Sequence, residues 1–116
     1  MADTFDARVE LGTLFACYGG LLTEKQQLAV RLYSGEDQSL SEIAGQMGVS
    51  RQNVHELITR AEQKLRRCED ALHIAEQTVN VQAGLEEAEE ALLGGRTEAC
   101  REILHRLMNE LDMADQ

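Results

Sequence analysis

The stretch GVSRQNVHELITRAEQKL, Gly48 to Leu65, decides how this chain folds. Glycine, valine and serine stand together, and apolar residues then recur every three or four positions. A glycine accepts the left-handed backbone of a tight turn at little steric cost, and a serine beyond it can cap a new helix. Immediately upstream, Ser39 and Glu42 have the spacing of a capping box, which opens a short helix running through Met47. Ile43, Met47, Val49, Val54 and Leu57 fall where two steeply crossing helices bury side chains between them. Ala44 is small enough to let the pair approach. Ser39 to Arg60 therefore reads as a helix-turn-helix.

The start of the second helix exposes Arg51, Gln52, Asn53, His55 and Glu56, with Ser50 as its cap. Arginine suits guanine, and glutamine or asparagine suits adenine, through paired hydrogen bonds in the major groove. The same residue types also serve as ordinary solvent-facing helix residues. Arg60, Lys64, Arg66 and Arg67 follow, with Lys25 and Arg31 on the preceding helix. These six are candidate phosphate contacts, although Glu62, Glu69 and Asp70 stand at helical spacing to pair with some of them. His55 has no cysteine or carboxylate at ligand spacing, so no metal is expected.

Working outward, residues 3–18 read as a first helix, with Phe5, Val9, Leu14, Phe15 and Tyr18 as its apolar positions and Gly19-Gly20 at its end. Thr23 and Gln26 form another capping box. The helix they open has Leu28, Ala29, Leu32 and Tyr33 on its apolar face, and Ser34 to Asp37 supply the turn that follows. On the other side, the helix begun at Ser50 continues. From Ala61 its apolar residues step through Leu65, Cys68, Leu72, Ala75 and Val79 like a heptad seam, the expected partner or dimer interface. The stripe shifts near Val81 and resumes at Leu85, Ala88 and Leu92, with Gly84 as an expected bend. Gly94-Gly95 breaks the helix, Thr97 caps the last one, and the two fold back as an antiparallel hairpin. The expected architecture is all-α: a helix-turn-helix domain over residues 1–67, then an acidic helical extension over 68–116 comprising a long helix and a C-terminal hairpin.

Composition agrees. There is no proline, and aromatics make up only 3% of 116 residues, so the core must be aliphatic. The formal net charge of -10 is unevenly placed. Residues 1–22 carry three acids against one base, residues 23–67 six against seven, and residues 68–116 twelve against three. The helix-turn-helix is nearly neutral while the extension is strongly acidic. Cys17, Cys68 and Cys100 are too widely spaced for a zinc or redox motif and read as small apolar residues. No leader opens the chain and no apolar run reaches the length of a membrane span, so no membrane insertion and a cytoplasmic location are expected. No triad, phosphate-cradling loop or paired-carboxylate site has structural context, and no cofactor or enzymatic activity is expected. The run Glu86-Glu87-Ala88-Glu89-Glu90 reads as a solvated helix face.

The segments LF..Y..LLTEKQ (Leu14–Gln26), LY...DQSLSEIA (Leu32–Ala44) and VSRQ.V...I.R.E..L (Val49–Leu65) resemble the YlxM family of small bacterial helix-turn-helix proteins associated with the signal recognition particle. Ser39 to Arg67 is also similar to region 4 of bacterial sigma factors, although nothing resembles their polymerase-binding region. The first resemblance implies a regulator of the signal recognition particle pathway that contacts the particle's RNA, its GTPase subunit, or both. It places Ser50, Arg51 and Gln52 in the family motif. The alternative is a sequence-specific regulator that binds duplex DNA as a homodimer through the Leu65–Val79 seam.

Overall fold

The computed structural model describes residues 4–114. Asp3, placed by the sequence at the start of the first helix, lies outside them. That helix, α1, spans Phe5–Tyr18, and Thr4 caps it by accepting the Ala7 N–H at 3.1 Å. Leu11, Leu14 and Tyr18 form its buried stripe. Phe5 and Val9, expected on the apolar face, sit well off that stripe and are exposed. Gly19–Leu21 is a single 3₁₀ turn. The second helix, α2 (Glu24–Val30), opens with the anticipated box: Thr23 Oγ1 accepts the Gln26 N–H at 3.2 Å, and Gln26 Oε1 accepts the Thr23 N–H at 3.0 Å.

A wide π-helical turn, Arg31–Gly35, continues α2 where the sequence suggested a turn starting at Ser34. Such turns are rare, and this one is fixed from outside. The Arg8 guanidinium of α1 lies 3.9 Å from the Tyr33 ring centroid and donates to the Tyr33 carbonyl at 2.6 Å. It also pairs with Asp37 at 3.1 Å. Ser34 Oγ donates to the Arg8 carbonyl at 2.8 Å.

Next come α3 (Leu40–Met47) and α4 (Arg51–Leu72). Their crossing is the helix-turn-helix, and α1 and α2 cover the inner side of α4. Tyr33, Leu11, Ile43, Ile58, Leu65 and Val54 are fully buried. At about 1.5–3 kcal/mol for each large apolar side chain, this aliphatic cluster is the main force holding the unit together.

One long helix from Ser50 to Leu92 is not what forms. The chain leaves the helix at His73, whose φ of 55° and ψ of 28° are left-handed, and restarts as α5 (Ile74–Leu93). The break is held from α1. Tyr18 donates its hydroxyl to Glu69 Oε1 at 2.6 Å and accepts the Ile74 N–H at 2.9 Å, while Glu69 Oε1 also accepts the Ala75 N–H at 2.9 Å. These bonds satisfy the first N–H groups of α5, which would otherwise be orphaned. The seam Leu65–Val79 is therefore divided between two helices.

The chain separates into two compact units, one ending at Ala75 and the other beginning at Glu76. The second unit is a helical hairpin of α5 and α6 (Thr97–Ala114), joined through Gly94-Gly95. Thr97 is the first helical residue of α6 rather than its cap. Gly84 is no bend. A Cβ placed on it would stand 2.5 Å from Leu107 Cδ2, so the glycine is a notch that seats Leu107. Ala88 and Ala91, four and seven residues on, extend the same small-residue face and are buried with Leu107.

Candidate nucleic-acid interface

The start of α4 is set by local chemistry. Ser39 Oγ accepts the Glu42 N–H at 3.1 Å, and Glu42 Oε1 accepts the Ser39 N–H at 3.2 Å, which locks the first turn of α3. Gly48, at φ 66° and ψ 34°, turns the chain left-handed. The Val49 N–H then donates to the Ala44 carbonyl at 3.1 Å, and Ser50 Oγ accepts the Asn53 N–H at 3.0 Å. Val54 and Ile58 point inward and are fully buried, and Leu57 packs against the same core, which leaves Asn53 and Glu56 on the outward side.

Arg51, Gln52, Asn53 and Glu56 are exposed, and His55 is half-buried. A shallow concavity of about 380 Å³ lies against this turn, lined by Leu40, Arg51, Gln52 and His55. Ser50 is engaged as the cap. Its oxygen supports the helix, which leaves its hydroxyl proton and one lone pair to offer a ligand.

The candidate cations divide sharply. Lys64 Nζ donates to the Leu21 carbonyl at 2.7 Å, tying α4 to the 3₁₀ turn. Arg66 pairs with Glu62 at 3.2 Å and with Glu10 of α1 at 3.4 Å. Burial alone would lower the Arg66 pKa, but hydrogen bonds and charge from Glu62 and Glu10 outweigh it and hold the guanidinium above its ordinary value. Both side chains are thus committed to structure. Arg51, Arg60 and Arg67 are exposed and their side chains have no hydrogen bond or ion pair among the described residues, and the same is true of Lys25 and Arg31. Asn53, Arg60 and Arg67 recur every seven residues, nearly two turns, and so share one side of α4 at intervals of roughly 10 Å. Gln52, Glu56 and Gln63 are exposed beside them. This outer face is polar, with a small positive excess.

The seam residues are placed differently from one another. Leu65 and Ala75 are buried in the first unit's core, and Cys68 packs against that core. Leu72 and Val79 are exposed. Sequence reasoning missed the Tyr18–Glu69 pair and the role of Arg8, because their partners lie far along the chain. Burial first, and then the Glu69 hydrogen bond, push the Tyr18 hydroxyl pKa above its usual value. Glu86, Glu87, Glu89 and Glu90 are all exposed on α5. Among the described residues no group of three or more His, Cys, Asp or Glu is placed to hold a metal, and no helix is long and apolar enough to cross a membrane.

The sequence profile of the UPF0122 family, described as "Putative helix-turn-helix protein, YlxM / p13 like", matches residues 5–105. A UPF0122 protein of Symbiobacterium thermophilum is 44% identical over 100 residues, covering 86% of this chain and 94% of that one. One from Desulforamulus reducens is 56% identical over 55 residues, 47% of each chain. Another, from Clostridium kluyveri, is 40% identical over 77 residues, 66% of this chain and 69% of its own.

Proposed function

The chain belongs to the UPF0122 family of YlxM/p13-like helix-turn-helix proteins, and from that premise we propose a non-enzymatic regulator that binds nucleic acid through the outer face of α4. The target we propose is the RNA of the signal recognition particle, alone or with its GTPase subunit. The observation that carries the reading is the division among the cations. Lys64 and Arg66 are occupied by the fold, whereas the side chains of Arg51, Arg60 and Arg67 are held out on one helix without an anion among the described residues.

RNA suits such a face. Its deep, narrow major groove excludes a helix, so recognition rests on backbone shape and phosphate. A few arginines on a nearly neutral surface are enough for that.

The competing reading is a dimeric, sequence-specific DNA regulator. It is favoured by Arg51, Gln52 and Asn53, exposed at the start of the second helix of the helix-turn-helix, where a DNA reader places its base contacts. It requires two copies of α4 about 34 Å apart. The test is a titration of the full chain against particle RNA, the same RNA bound to its GTPase subunit, and random duplex DNA, all at about 0.15 M salt. Preference for either particle target over the duplex is the expected result. Duplex binding as tight as either, by a dimer, would replace the proposal with the competing reading.

A further inference from the structure

The α5–α6 hairpin has two unlike faces. On one, Arg106 of α6 pairs with Glu87 of α5 at 3.4 Å and with Glu110 at 3.8 Å, which closes a polar surface across both helices. On the other side of α5, Leu85 and Leu92 are separated by seven residues and are 50% and 56% exposed. Leu104, Met108 and Leu111 recur at i, i+4 and i+7 on α6, with Met108 64% exposed. The two stripes adjoin: Val81 and Leu85 of α5 share a groove of about 350 Å³ with Leu111 of α6. A hairpin of two helices normally buries such a face against a third element.

We propose that this face is a docking site for an amphipathic helix of another protein, one whose apolar stripe is flanked by lysine and arginine. Charge selects that occupant. Residues 76–116 contain ten acids and three bases, and Glu86 and Glu89 stand exposed beside the Leu85–Leu92 stripe. A second copy of the hairpin would set one strongly acidic surface against another, whereas a basic helix would meet complementary charge on approach. Met108, unbranched and flexible, suits a groove that takes an incoming helix by its anchors at i, i+3, i+4 and i+7. The site uses no residue of the α4 face and does not depend on the nucleic-acid reading.

The experiment uses the full chain and two labelled synthetic helices with the same leucine stripe, one flanked by lysines and one by glutamates, followed by fluorescence anisotropy. The lysine-flanked helix is expected to bind about tenfold or more tighter than the glutamate-flanked one, a difference of about 1.4 kcal/mol. The double variant Leu85→Gln/Met108→Gln, with both side chains exposed and its helical content checked by circular dichroism, is expected to remove that binding. Arg60→Ala/Arg67→Ala is expected to leave it unchanged, which separates this site from the α4 face. Equal binding of both helices, or an unchanged Kd in the Leu85/Met108 variant, overturns the proposal. So does a chain that sediments as a dimer and is made monomeric by that variant, because the face would then belong to a second copy.

Discussion

Tyr18 donates to Glu69 at 2.6 Å and takes the Ile74 N–H at 2.9 Å, reaching from α1 to both sides of the His73 break. Removing its hydroxyl takes one hydrogen bond from Glu69 and one from the part-buried Ile74 N–H, so Tyr18→Phe is expected to lower unfolding free energy by about 1–3 kcal/mol in urea titrations. The pH dependence has a definite sign. Tyrosine in the unfolded chain ionises near pH 10, while the folded hydroxyl holds its proton longer because it is buried beside Glu69. Its stabilising contribution is therefore complete below about pH 10 and declines as pH rises through the higher folded value. The stability gap between the natural chain and Tyr18→Phe should narrow above pH 10, and a constant gap would remove this account of Tyr18. Ser50 was legible at this scale, because a cap is a contact over three residues. Its alanine variant should cost about 1 kcal/mol. Tyr18 was not legible, since its partners stand 51 and 56 residues away.

At the scale of elements, two boundaries show why local pattern succeeds or fails. Ser39, Gly48 and Ser50 mark α3, the turn and α4 because each acts on its own neighbours. The α4–α5 break escaped notice for the opposite reason: Leu65, Cys68, Leu72, Ala75 and Val79 keep helical spacing straight through it, and neither glycine nor proline stands at His73. The break comes from α1. Gly84 misled in the other direction, because a glycine inside a helical pattern reads as a bend when its purpose is to seat Leu107. Alanine ordinarily favours a helix over glycine by about 1 kcal/mol. Here its Cβ would meet Leu107 Cδ2 at 2.5 Å and Cγ at 3.0 Å, so Gly84→Ala should still destabilise the hairpin, by about 1–3 kcal/mol. A higher melting temperature for that variant would show that the close packing of α5 and α6 is wrongly placed.

Across the whole molecule, charge and exposed apolar surface are sorted between two units. The first unit, nearly neutral over residues 23–67, holds the helix-turn-helix with three exposed arginines on α4 whose side chains have no partner among the described residues. The second is acidic and carries the unpartnered apolar face. The sequence revealed the charge division and the all-α class, because counting and periodicity suffice for both. It did not reveal which cations were free, since Lys64 and Arg66 are taken by Leu21 and Glu10, 43 and 56 residues away. We propose that the outer face of α4 binds RNA phosphates through the arginines that have no side-chain partner among the described residues. The most direct test is the salt dependence of binding to particle RNA, measured for the natural chain and for Arg60→Ala/Arg67→Ala. Both side chains are exposed and unpaired among the described residues, so stability should change by no more than about 0.5 kcal/mol. Affinity should fall, and the slope of log K against log salt should flatten by about 1.5–2, the loss of two phosphate contacts. An unchanged affinity and slope in a fully folded double variant would contradict the claim and take α4 out of the interface.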